Sequence, residues 1–412
     1  MRKIITFLGK YPKQTDYLFD GKVYSGQVFA EAMRQFLEFD EMLVFVTQEA
    51  KADAWPVLEK LNDARIKFVD IPTGETDEQM WQMFTAIAEQ VNEKEKVVFD
   101  ITHGLRSIPF LVFLFAAYLK TAKKVEIEAI YYGAFELGDP KIGKPAPVVD
   151  LSQFVTMLDW ITATDQFVQT GNAKQLATLL NPKDLEVGVL YESSSTLKTI
   201  SQAAMLCQPF TIMQEVGKLD ISLKQAESEL NLNAKPFGIL RDQIVQAYDQ
   251  FQNDGKDLLK QLSTEFQLVE WYYQKGQLIQ AVTLAREWLI DAITYQLGEP
   301  LDFLLENRKP FEDAISGVAL IGKLHPQERD RNFTENDLNR FGIKIQTWDD
   351  VEMLKQLWTD LKNVRNPLDH AEHQRKREKE KTLESLNKRI QSKMDVNVMP
   401  VLRQLAQKWH MC

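Results

Sequence analysis

Short apolar runs recur along the first part of the chain, each closing on a polar residue or a glycine. They cover residues 3–8, 42–46, 66–71, 97–99 and 125–132, with 147–149 as a shorter sixth. Runs of Val, Ile and Phe with few polar interruptions predict strands buried on both faces, as in a parallel sheet. The stretches between them, residues 26–37, 54–64, 75–92 and 106–121, carry apolar side chains at helical spacing. Strand and helix in alternation predict an open α/β sheet with right-handed crossovers.

After residue 151 the strand pattern stops. Helical periodicity covers residues 151–170, 195–216, 222–231, 235–251, 258–273, 278–297, 348–364 and 372–393, so the remainder is expected to be all-α. Residues 171–195 read as a linker, because Asn181-Pro182 and the serines at 193–195 break helices. Residues 306–336 are rich in charge and loop signals and read as a connection. The expected division is an α/β domain over 1–150, a helical linker over 151–194 and an all-α domain over 195–412.

Composition narrows the function classes. The chain has 412 residues, 44% hydrophobic and 26% charged, which is globular rather than disordered. Lys and Arg number 49 and Asp and Glu 59, so the net charge is −10. A uniformly basic, DNA-coating protein is excluded, while local basic patches are not. Cys207 and Cys412 are far apart, which fits neither a disulfide framework nor a structural zinc site. The apolar run at the N-terminus is shorter than a signal peptide needs. Residues 108–119 are strongly apolar, but about twelve residues fall short of the roughly 20 that span a bilayer. A soluble, cytoplasmic protein is expected.

The first candidate site is the loop at 100–107, where a buried strand runs through Asp100-Ile101-Thr102-His103-Gly104-Leu105-Arg106-Ser107 into a helix. A helix N-terminus offers unpaired N–H groups and partial positive charge to an anion. Gly104 allows close backbone approach, Thr102 and Ser107 supply hydroxyls, and Arg106 suits a phosphate. His103 adds a ring that can stack or hydrogen-bond. The bland alternative is a plain strand-to-helix turn capped by Thr102 or Ser107. In a 3-2-1-4-5 strand order the loop at Gly9-Lys10 would flank the same crevice. Neither loop is a GxGxxG or GxxxxGK[ST] motif, which disfavours ordinary NAD and P-loop chemistry.

The second candidate is Arg365-Asn366-Pro367-Leu368-Asp369-His370, an RxxxxH spacing in the helical half. Pro367 predicts a helix end or kink there. Histidine can move a proton to or from an RNA 2′-hydroxyl or 5′-oxygen, and arginine can stabilise charge on the phosphorus. Asn366 can orient either partner. The competing reading is coincidence, with Arg365 paired to Asp360 or Asp369. His370 and His373 could share a metal, but no further ligand cluster accompanies them, so no metal is expected. The mixed charges at 374–381 could contact RNA, though such a run is more often a solvated helix face.

Together these motifs resemble the CRISPR-associated CARF–HEPN ribonucleases of type III systems. The resemblance rests on residues 7–24, the strand end at 44–50, the loop 100–110, the segment 272–293 and Val364 to His370. It implies a Rossmann-like CARF domain over 1–150 that dimerises around a cyclic oligoadenylate, most often cyclic tetra-adenylate. Gly9, Lys10, Thr102, His103, Gly104, Arg106 and Ser107 would line that ligand's pocket. It also implies a HEPN domain over 195–412 that cuts single-stranded RNA without metal or other cofactor. Arg365 and His370 would be catalytic, with Asn366 in support, leaving 2′,3′-cyclic phosphate and 5′-hydroxyl ends. A homodimer or higher even-numbered oligomer, and no membrane partner, belong to the same expectation. The alternative is a non-catalytic cyclic-nucleotide sensor whose helical half binds a partner or nucleic acid.

Overall fold

The computed structural model describes residues 1–230, 235–302, 305–328, 330–369 and 383–412. The chain divides into two compact units, Met1–Asp159 and Trp160–Cys412.

In the first unit the strands are β1 (Arg2–Phe7), β2 (Thr15–Phe19), β3 (Lys22–Gly26), β4 (Glu41–Val46), β5 (Ile66–Asp70), β6 (Lys96–Asp100), β7 (Glu126–Gly133) and β8 (Ala146–Asp150). They form one sheet in the order β3-β2-β8-β7-β6-β1-β4-β5. All six expected strands are present, and the first and fourth of them, β1 and β6, are parallel neighbours. The central strands β7, β6, β1, β4 and β5 run parallel, whereas β8 pairs antiparallel with β7.

Successive side chains of a strand point to opposite faces, so Ile4 and Ile5 enter different cores. Ile4, Val44 and Val98 are covered by α1 (Phe29–Phe36), α2 (Gln48–Asp53) and α3 (Trp55–Glu59). Ile5, Phe45 and Phe99 are covered by α4 (Asp77–Gln90) and α5 (Ile108–Lys123). Burial on both faces is why these strands read as continuous apolar runs.

The hairpin β2–β3 was not expected. Its turn is Asp20-Gly21, both in the left-handed region (φ 47° and 73°), the two-residue geometry that Asp-Gly favours. The hairpin extends the sheet because β2 pairs with β8.

The second unit is helical: α6 (Ser152–Thr170, beginning in the first unit), α7 (Lys174–Leu180), α8 (Val189–Met205), α9 (Pro209–Leu230), α10 (Lys235–Tyr248), α11 (Leu258–Gln274), α12 (Leu278–Gln296), α13 (Leu305–Leu320), α14 (Arg340–Gln346), α15 (Val351–Asp369), α16 (Leu383–Lys393) and α17 (Met399–Lys408). Its single core includes Trp288, Tyr272 and Tyr248. Their polar tips are satisfied inside it: Trp288 Nε1 donates to Leu262 O, Tyr272 Oη to Ala204 O and Tyr248 Oη to Phe167 O.

Two expectations are corrected here. Residues 306–336 are not merely a connection, because α13 occupies their first half. Phe311, Ala314, Ile315 and Val318 form a buried i, i+3, i+4, i+7 stripe that surrounding charges and Pro310 obscure. Pro367 does not end its helix, since α15 continues to Asp369. Of the helix expected over 372–393, α16 is its described part.

Candidate functional site

In the sheet unit the candidate loop is built on a buried carboxylate. Asp100 closes β6 with no exposed surface. Thr6 on β1 donates its hydroxyl to Asp100 at 2.6 Å, and the Thr102 N–H donates to it at 2.7 Å. The Thr102 hydroxyl oxygen in turn accepts the Gly133 N–H at 2.7 Å, tying the loop to β7. Burial raises the Asp100 pKa, while the His103 charge and its hydrogen-bond donors pull it down. Burial lowers the His103 pKa, with Asp100 opposing. His103 stacks on Phe135 at 6.0 Å between ring centres, and its buried Nε2 has no hydrogen-bond partner among the described residues.

The structure brings the two glycine loops together. A Cβ on Gly9 would lie 3.6 Å from Gly104 N and 4.0 Å from His103 Cβ. Gly104 has φ +107°, and a Cβ there would meet Ile108 Cδ1 at 2.9 Å and Phe7 Cβ at 3.1 Å. Gly104→Ala is therefore expected to cost about 1–3 kcal/mol through backbone strain and crowding. Thermal unfolding checks this, and a variant melting with the wild type would refute it.

Arg106 is exposed, and its guanidinium makes no ion pair among the described residues. Lys10 is also exposed and lies 3.6 Å from Glu49. Ser107 occupies the N-cap position of α5, but its hydroxyl makes no cap hydrogen bond. Thus Gly9, Lys10, Gly104, Arg106 and Ser107 offer backbone approach, charge and a hydroxyl, while Thr102 and His103 lie inward. Asp100, Thr6 and Gly133 escaped sequence reasoning as a linked set. Only the Asp100 position at a strand end hinted at it.

In the helical unit, α12, α13 and α15 line a cleft of about 430 Å³ that includes Arg365 and Asn366. Arg286 from α12 also lines it, pairing with Glu287 at 2.7 Å and with Glu312, its guanidinium 4.9 Å from the Trp358 ring centre. Asp360, 3% exposed, accepts from Gln356 at 2.7 Å, Lys393 at 3.3 Å and Asn397 at 3.4 Å. These bonds tie α15 to α16 and the segment after it. His370, His373 and residues 374–381 lie outside the described residues. Among the described residues no group of three His, Cys, Asp or Glu side chains could hold a metal ion. Nor is any described helix long and apolar enough to cross a membrane.

The geometry can be set beside known proteins. The family model for the CARF domain of the CRISPR system endoribonuclease Csx1 matches residues 57–136, which contain the candidate loop. The model for the second domain of the CRISPR-associated protein MJ1674 matches residues 156–263. The CRISPR-associated protein MJ1674 of Methanocaldococcus jannaschii is 31% identical over 120 residues, 28% of this chain and 19% of that protein. The match thus spans about a fifth of the relative's length. Among solved structures, Enterococcus italicus Csm6 bound to cyclic hexa-2′-fluoro-hexa-dAMP aligns with a TM-score of 0.46 at 10% identity. That alignment covers 99% of this chain and 95% of that one.

Residues 57–136 of the sheet unit, the loop at 100–107 included, are thus similar to a CARF domain. Over these segments the chain is similar to CRISPR-associated proteins, one of them with a CARF domain.

Proposed function

We propose that the chain is a cyclic-oligoadenylate-activated, metal-independent endoribonuclease acting on single-stranded RNA in type III CRISPR antiviral defence. Cyclic tetra-adenylate is the proposed activator, and the working form is a homodimer in the cytoplasm. The domains are proposed as CARF over 1–150, a helical linker over 151–194 and HEPN over 195–412. The observation that carries the reading is Arg365 and Asn366 together in a cleft with further cations, on a chain of net charge −10.

The chemistry needs no external nucleophile. The 2′-oxygen attacks the adjacent phosphorus, losing its proton, and the bond from phosphorus to the 5′-oxygen breaks. That oxygen gains a proton, leaving a 2′,3′-cyclic phosphate and a 5′-hydroxyl. His370 moves protons, Arg365 stabilises the charge gathering on the phosphoryl oxygens, and Asn366 orients them.

For the ligand, exposed Arg106 and Lys10, the Ser107 hydroxyl and the start of α5 support anion binding. A twofold ring suits an isologous dimer. Phe110, Leu114 and Tyr118 support such a contact, because they are exposed at i, i+4, i+8 along α5.

Fluorescent single-stranded RNA, incubated in EDTA with cyclic tri-, tetra- or hexa-adenylate, tests the reading. Cleavage with the tetra-adenylate is expected. Ligand binding without cleavage by any ring would instead favour a non-catalytic sensor. Arg106→Ala should raise the activator concentration for half-maximal cleavage roughly 10- to 100-fold, the loss of a charge-assisted hydrogen bond. An unshifted activation curve would remove Arg106 from the ligand site.

A further inference from the structure

Besides Arg286, which is paired to Glu287 and Glu312, the helical cleft holds two cations that the proposed chemistry does not use. Lys362 lies on α15 three and four residues before Arg365 and Asn366, so the three share one side of the helix. Lys323 lines the same cleft from the turn after α13. Both are exposed, and neither ammonium makes an ion pair or hydrogen bond among the described residues. Some lysines of this unit are matched to carboxylates, as Lys218 is to Glu215, Lys224 to Asp220, Lys309 to Asp313 and Lys355 to Glu352, whereas others, such as Lys198 and Lys344, make no ion pair among the described residues. Among the described residues lining the cleft, the one carboxylate is Glu312, and Arg286 engages it. The cleft therefore carries uncompensated positive charge beside Arg365, on a chain that is acidic overall.

We propose that Lys323 and Lys362 hold backbone phosphates of the RNA next to the one that Arg365 engages. The cleft then takes an oligonucleotide strand in preference to a mono- or dinucleotide. Ammonium groups on phosphates position a strand without reading its bases, so these contacts are sequence-tolerant. This inference rests on the ribonuclease reading of the cleft.

The test is binding of the full chain to a fluorescein-labelled 2′-O-methyl oligoribonucleotide, whose blocked 2′-oxygen prevents cleavage. Anisotropy is followed across a salt series, in EDTA with cyclic tetra-adenylate. Lys323→Gln and Lys362→Gln are each expected to raise Kd roughly three- to tenfold at low salt. Each should also flatten the dependence of log K on log salt by about 0.7, one single-strand phosphate contact. With cleavable RNA, KM should rise while kcat changes less than about twofold, the signature of lost uniform binding. Lys224→Gln, away from the cleft, controls for a change in total charge. Unchanged Kd and salt slope in the double variant, with a wild type that binds and cuts RNA, would overturn the proposal alone. A wild type that neither binds nor cuts RNA would overturn the ribonuclease reading and this inference with it.

Discussion

Replacing Arg365 or His370 by alanine is expected to lower the rate of RNA cleavage by about 10²–10⁴-fold while cyclic oligoadenylate binding persists. The arginine acts on charge that grows only in the transition state, so its loss should fall on kcat more than on KM. The histidine acts through proton transfer, so its loss should also erase part of the pH dependence. Arg365→Lys keeps a charge but not the planar two-pronged donor, and should recover little. The measurement is single-turnover cleavage in EDTA with ligand binding followed in parallel. A His370→Ala variant that cuts RNA at the wild-type rate would remove the proposed chemistry from this motif.

The second large effect concerns stability. Glu265 on α11 is 1% exposed, and it accepts a hydrogen bond from Gln261 Nε2 at 3.3 Å. Next to it Asp291 is served by Arg308 at 2.8 Å, and the same guanidinium reaches Glu287 at 2.6 Å. Burial pushes the Glu265 pKa up to about 8, helped by the Asp291 charge and opposed by Gln261 and Arg308. Burial likewise lifts Asp291 to about 6, against the pull of Arg308.

A folded pKa above the unfolded value of about 4.3 gives stability that is complete at lower pH. It erodes as pH rises and is gone above the folded pKa, a loss on the order of 5 kcal/mol at most for Glu265. Glu265→Gln keeps the shape and stays neutral. The variant should gain on the wild type as pH rises from about 7 to about 8, above the value of about 6 at which Asp291 itself titrates. Thermal unfolding across that range is the measurement. Parallel curves for the two proteins would show that burial does not raise the folded-state pKa of Glu265 into this range.

Much of the α/β unit was legible because its strands are buried on both faces, which writes burial directly into consecutive residues. The loop at 100–107 was legible because polar side chains and a glycine accumulate where a plain turn needs few. The hairpin at Asp20-Gly21 was missed although its turn signal is strong, because its strands alternate exposed and buried positions instead of forming an apolar run. α13 was missed because its buried stripe is interleaved with charges.

From the chain alone came the alternation of strand and helix, the all-α remainder, the acidic balance and the two candidate motifs. These depend on neighbours within a turn or a strand, where periodicity and local propensity act. Tertiary structure decided what the motifs meet. Thr6 reaches Asp100 across 94 residues of sequence, β2 docks on β8, and Arg286 shares a cleft with Arg365. It also decided that one guanidinium, Arg308, serves Asp291 and Glu287 while Glu265 faces an amide. Such pairings depend on how whole elements pack against one another, and no window along the chain contains that information.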